Sequence, residues 1–315
     1  VSLRPQPLVD LLASLTARSL ALGDVQGGNA PHLRPPGVVL TDGAWGTQLQ
    51  ARGLPPGVCP DTWNLSHPDI VEQVPRAYVE AGSRIVLTNT FRANRLALAD
   101  HGVSDSVEAI NRAGVEISRR AAGDRALVFA SIGPSGRMLL AGTVTEEELR
   151  EAFDEQARAL AAAGADALVV ETMTDVDEAR IAVTAAKATG LPVVACMVFD
   201  SGVDHDRTMM GVTPEEAAAQ LAAAGADVIG SNCGQGIEGY VPICRRLAQA
   251  TDRPIWIKAN AGLPELVDGE VVYTTTPDRF ASFARAVAEA GASFLGGCCG
   301  TTPDFIRALA RELGS

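Results

Sequence analysis

The stretch "AAGADALVVETM" runs from Ala162 to Met173. It reads as the end of a helix, a glycine that closes it, and then an apolar run too continuous for a half-exposed strand. A carboxylate, Glu171, stands at the end of that run. The same phrase returns as "EAGSRIV" (80–86), "AAGADVIG" (223–230) and "EAGASFLGG" (289–297). A helix end, a glycine and a buried parallel strand, repeated along the chain, make a βα unit.

Working outward, eight apolar runs carry the strand signal. They are "GVVLTDG" (37–43), "RIVLTNT" (84–90), "ALVFASIG" (126–133), "ALVVETM" (167–173), "PVVACMVF" (192–199), "DVIGSNC" (227–233), "PIWIKAN" (254–260) and "SFLGGCC" (293–299). Between them, "TEEEL" (145–149) and "TPEEA" (213–217) place threonine at a helix N-cap with acidic residues in the first turn. "TTPDRF" (275–280) and "TTPDFI" (301–306) place proline at the first helical position. Eight strands alternating with helices predict a single (β/α)8 TIM barrel, an α/β fold, over residues 37–315. An open doubly wound sheet is the alternative. Its usual glycine-rich phosphate loop is missing from "TDGAWGTQLQ" (41–50).

Residues 1–36 stand apart as an N-terminal extension, a short amphipathic segment on a Gly/Pro-rich linker that is expected to be poorly ordered. Aromatic residues make up only 4% of the chain, so small side chains must fill most helix–strand contacts. The formal net charge of −12 argues against nucleic acid or anionic lipid as a partner. No apolar run is long enough to span a bilayer. Six cysteines in 315 residues are too sparse for a disulfide scaffold, which points to the cytoplasm and to metal or catalytic use of clustered thiols. Assembly into a homo-oligomer is left open.

In a barrel of this kind the chemistry sits at the C-terminal ends of the strands. Polar residues gather at those ends: Asp42, Asn89, Ser131, Glu171, Asn232 and Cys233, Lys258 and Asn260, Cys298 and Cys299. Cys59, Cys196 and Cys244 fall in a loop, inside a strand and inside a helix, where a thiol is small apolar filler. Cys233, Cys298 and Cys299 all fall at strand ends, and the strands that carry them are separated by one other strand. At about 4.8 Å per strand spacing, one metal with sulfur bonds near 2.3 Å spans them. Three thiolates with one open position is the arrangement of a catalytic zinc rather than a structural one. His205, in the loop after the fifth run, reads as a solvated residue.

The motifs "TDGAWGTQLQARG", "VLTNTF", "SIGPSG", "VVETMTD", "GSNCG", "ANAG" and "GGCCGTTPDFI" occur in the order of the homocysteine S-methyltransferase family, which the chain resembles from about residue 37 to 313. The resemblance implies a (β/α)8 barrel with Zn2+ held by Cys233, Cys298 and Cys299, and homocysteine bound to the metal through sulfur. It implies that Asp42, Gly43 and Glu171 hold the amino-acid end; Asn89, Ser131 and Asn232, at the same strand ends, are expected to supply neutral hydrogen bonds. Trp45 departs from the small residue or methionine expected in the first motif. The expected activity is transfer of a methyl group to the thiol of homocysteine, forming methionine. The donor is either a betaine-type small molecule or a methyl-corrinoid protein. Phe91, Trp63 and Tyr273 are candidates for an aromatic wall around a quaternary ammonium, although each reads more readily as a packing residue. Two other readings stand beside this one: a zinc subunit that binds the acceptor and has no donor site, and an unrelated barrel enzyme with cysteines in its core.

Overall fold

The computed structural model describes residues 37–267 and 270–314. The expectation for residues 1–36 lies outside them. Ten strands are present among the described residues: β1 (Val39–Leu40), β2 (Ile85–Val86), β3 (Leu127–Ile132), β4 (Ala167–Met173), β5 (Val193–Met197), β6 (Val228–Gly236), β7 (Ile255–Asn260), β8 (Pro264–Val267), β9 (Glu270–Tyr273) and β10 (Ala292–Gly297). Eight of them form one parallel sheet in the order β1-β10-β7-β6-β5-β4-β3-β2, with helices between, so the expected barrel is present. The two ends of that order are β1 and β2. The Arg84 amide donates to the Leu40 carbonyl at 2.8 Å and links them. One step further on, a side chain replaces the ladder: the Leu87 amide donates to the Asp42 carboxylate at 2.8 Å.

The helix starts follow the sequence signals. Thr145 and Thr213 each form a reciprocal capping box, with Glu148 and Glu216. Thr276 and Thr302 cap helices whose first residues are Pro277 and Pro303. The glycines of the repeated phrase, Gly82, Gly164, Gly225 and Gly291, all have φ between 89° and 116°, a left-handed turn that only glycine makes without strain. Each turn sends the chain from a helix end back into the next strand.

The core has two compartments. Between sheet and helices, alanine and branched aliphatics pack closely, as the small-residue content requires. Inside the barrel three large aromatic rings pack together. Phe129 stacks on Trp256 at 5.9 Å between ring centroids, and Trp256 meets Phe294 at 5.2 Å. These rings plug the barrel beneath the strand ends and give the site above a rigid floor. The antiparallel hairpin β8–β9 was not expected. It rises from the strand-end face after β7 and ends at Tyr273. Among the described residues, no helix is long and apolar enough to cross a membrane.

Candidate functional site

The three strand-end cysteines come together. The sulfur atoms of Cys233, Cys298 and Cys299 all lie within 4.8 Å of one another, and Cys233 Sγ is 3.9 Å from Cys299 Sγ. Tetrahedral bonds of 2.3 Å to one ion set ligand sulfurs about 3.8 Å apart, so the spacing and donor set fit a tetrahedral thiolate metal with one position free. No histidine or carboxylate joins this group among the described residues. His205 is on the surface, with Nδ1 against the Asp200 carbonyl. Cys59, Cys196 and Cys244 are buried as filler. With protons rather than a cation among the sulfurs, Cys233 is the thiol most readily ionised, because Cys298 and Cys299 hydrogen-bond to it.

Local backbone geometry makes this convergence feasible. Neighbouring strand residues point to opposite faces. Yet Asn232 Nδ2 reaches Cys298 Sγ at 3.7 Å while the adjacent Cys233 reaches Cys299. Cys233 manages this with φ of 65°, in the left-handed region, where β6 runs from Asn232 to Gly236 while β7 advances only from Lys258 to Asn260. Opposite, the Cys298 amide donates to the Ala259 carbonyl at 2.7 Å, and the Ala261 amide donates to the Cys299 carbonyl at 2.9 Å. The glycines before the cysteine pair serve space rather than flexibility. A Cβ on Gly296 would stand 2.0 Å from Thr41 Oγ1, and one on Gly297 2.3 Å from Thr301 Oγ1. That same Thr301 hydroxyl donates to the Cys298 carbonyl at 2.7 Å. Gly300 does need its own torsion, with φ of 78°, and the Tyr273 ring lies directly over it.

The sulfurs open into a cavity of about 320 Å³. Gly43, Asn89, Ser131 and Glu171 line it with the three cysteines. Glu171 is 7% exposed, and burial raises its carboxyl to about 7, with Lys258 as the main opposing influence. Ser131 donates to its Oε1 at 2.5 Å. Asn89 spends both hydrogens of its amide on the Pro60 carbonyl and on Asn64. Asp42 and Asn232 lie behind the lining. The Asn232 carbonyl accepts from the Thr172 amide at 2.8 Å, and its amide donates to the Thr172 hydroxyl at 2.7 Å. The Asp42 carboxylate takes the Leu87 amide and the Trp45 indole, each at 2.8 Å, on one oxygen, and the Lys258 ammonium on the other.

Lys258 was read only as a polar strand end, and it is the principal residue the sequence reading left without a role. It is 2% exposed and lines the cavity. Burial works against its charge, but Asp42 and Glu171 outweigh that and raise its pKa above the ordinary value. Of the candidate aromatic wall, Phe91 lines the cavity, while Trp63 is stacked on His67 at 4.5 Å outside it. Trp45 lines the cavity in its place, and so does the buried carboxylate Asp61.

Residues 39–313 match the family model described as homocysteine S-methyltransferase. The chain is similar to a methionine synthase of Mycobacterium leprae, 34% identical over 291 residues that cover 87% of this chain and 24% of that protein. It is similar to betaine–homocysteine S-methyltransferase 1 of Danio rerio, 31% identical over 303 residues that cover 88% of this chain and 73% of that one. The chain thus spans about a quarter of the length of the methionine synthases it matches. Among solved structures, the metallated form of the homocysteine methyltransferase MmuM from Escherichia coli superposes with a TM-score of 0.73 at 24% identity, covering 92% of this chain and 98% of that chain. That likeness speaks to the barrel alone.

Proposed function

Because this chain belongs to the homocysteine S-methyltransferase family, we propose that it transfers a methyl group to the thiol of homocysteine, with Cys233, Cys298 and Cys299 holding a zinc ion. The observation that carries this reading is the convergence of three sulfurs within 4.8 Å at the mouth of one cavity. Zinc bound there supplies deprotonation of a coordinated thiol near neutral pH, where a free thiol with a pKa around 8.5 is mostly protonated.

The chain's own residues supply position. Glu171 faces the cavity and takes the substrate ammonium, with Ser131 fixing one oxygen and leaving the other free. Asp42 contributes negative charge from behind, held still by three protein partners. Gly43 is bare because a Cβ would collide with the Tyr78 hydroxyl at 2.6 Å, and its lack of a side chain leaves room for the amino-acid end. The Asn232 side chain donates to Cys298 Sγ and holds Thr172 at the end of β4. A nucleophilic sulfur displacing a leaving group at methyl needs no general-base triad. Residues 37–315 act as one homocysteine-binding barrel, and the absence of any paired cysteine among the described residues supports a cytoplasmic setting.

For the donor, Phe91, Trp45 and Asp61 in the wall of one cavity favour a small onium compound of the betaine type, since aromatic faces and a carboxylate both attract a cation. A specific observation favours the second reading, a protein that delivers the methyl group, such as a methyl-corrinoid carrier. The large apolar side chains exposed among the described residues, including Leu65, Leu140, Val203, Met210, Leu266 and Val271, all lie on segments that follow barrel strands and rim the mouth. On that reading the chain is the acceptor-binding zinc subunit of a larger complex. The test is methionine formation by zinc-loaded protein with betaine, S-methylmethionine or methylcobalamin as sole donor. Turnover with a small onium donor supports the first reading. Turnover only after addition of a carrier protein supports the second. If zinc-loaded protein with donor and carrier leaves homocysteine unmethylated, the proposal is wrong.

A further inference from the structure

We propose that Tyr240 is a positioning residue for Cys233: its hydroxyl pins the Cys233 carbonyl and so maintains the left-handed backbone that turns this sulfur toward Cys298 and Cys299. The inference rests on the metal reading above and concerns how this chain builds one ligand of the three.

A β-strand cannot present Asn232 and Cys233 to the same side without a break in its pleat. The break here is the φ of 65° at Cys233, a conformation that non-glycine residues adopt only when their surroundings enforce it. The enforcing contact is visible. Tyr240 sits in the first turn of the helix Ile237–Ala250, which starts directly after β6. Its side chain is 1% exposed, and its hydroxyl donates to the Cys233 carbonyl at 2.5 Å. Ser231 Oγ lies 3.5 Å from the phenol oxygen on its other side, placed to donate to it, so the tyrosine proton is directed at the carbonyl. Thr172, the other non-glycine left-handed residue at the site, is held separately through Asn232, with φ of 62°. The two strained peptides thus have separate fasteners, and the one on the ligand itself is Tyr240.

The experiment compares the full chain, Tyr240→Phe and Ser118→Ala. The phenylalanine keeps the ring volume and removes only the hydroxyl. Ser118 is a buried hydroxyl that donates to the Leu87 carbonyl at 2.9 Å on the far side of the barrel, so its loss reports a generic buried hydrogen bond. Affinity for Zn2+ is read by competition with a chelator, and the thiolate-to-metal absorption is read with Co2+. Tyr240→Phe should bind about tenfold more weakly, the scale for residues that orient a metal ligand, and shift the Co2+ band. Ser118→Ala should match the parent in both. A folded Tyr240→Phe protein with parental affinity and spectrum overturns the inference, as does an equal loss in Ser118→Ala. A parent protein that takes up neither metal overturns the metal reading itself.

Discussion

The ammonium of Lys258 donates to the Asp42 carboxylate beneath the cavity, and both side chains are essentially removed from water. The same carboxylate closes the seam between β1 and β2 through the Leu87 amide. One pair therefore serves both the joint of the barrel and the floor of the site. Replacing Lys258 with methionine leaves a buried carboxylate without its cation. The expected loss of stability is about 3–5 kcal/mol, measured by urea denaturation. A loss below about 1 kcal/mol would mean that the pair is replaceable by water.

Glu171→Gln keeps the shape of the side chain and its contact with Ser131 but removes the charge that the proposed function assigns to the substrate ammonium. The KM for homocysteine should rise about tenfold to a hundredfold, the range for a hydrogen bond to a charged partner. Zinc content should not change.

The raised pKa of Glu171, about 7, gives a pH dependence with a definite sign. Below that value the carboxyl holds its proton and attracts the ammonium weakly, and above it the carboxylate binds. Homocysteine affinity should therefore fall as pH drops through about 7, between roughly pH 8 and 6. Glu171→Gln should flatten this part of the profile. Persistence of the same slope in that variant would assign it to another group.

Cys298→Ala removes one of three sulfurs and should reduce bound zinc from near one equivalent to a small fraction, read by elemental analysis after dialysis. A chelator should abolish methyl transfer by the parent, and added zinc should restore it. Cys244→Ala should keep its zinc, because Cys244 is buried in a helix with its thiol against the Val287 carbonyl.

Gly297→Ala should be costly although alanine is the smallest change available. The new Cβ would meet the Thr301 hydroxyl and methyl at 2.3 and 2.6 Å, and Thr301 supports the Cys298 carbonyl. About 1–3 kcal/mol of destabilisation, with weaker metal retention, is expected from thermal melts and chelator competition.

Much of the barrel was legible because its signals are local. Apolar runs, threonine caps and positive-φ glycines depend on a few consecutive residues, and all eight strands fell where those signals placed them. The first two strands are shorter than their apolar runs. Beyond Val86 side chains take over the hydrogen bonding, as where Asp42 receives the Leu87 amide, while beyond Leu40 the backbone still bonds to β10. The cysteine trio was legible because each member ends such a run. What escaped depends on distant partners. Lys258 and Asp42 are 216 positions apart, so neither reveals from sequence that the other neutralises it. The exchange of Trp63 for Trp45 in the cavity wall was equally hidden, since Trp45 is held there by its bond to Asp42. The hairpin β8–β9 was missed because its strands are four residues each and lie outside the βα rhythm.

The sulfurs are divided between β6 and β10, and β10 is also the strand on which β1 rests. During synthesis the first strand of the barrel must wait for the last. A nascent chain that has emerged only through β7 carries one of the three cysteines, a β1 with only one of its two neighbours, and an open barrel. Delivery of β10 supplies two ligands and the missing neighbour together. On the proposed zinc reading, metal capture would inspect the finished product, because a truncated or misassembled barrel cannot gather the three thiols.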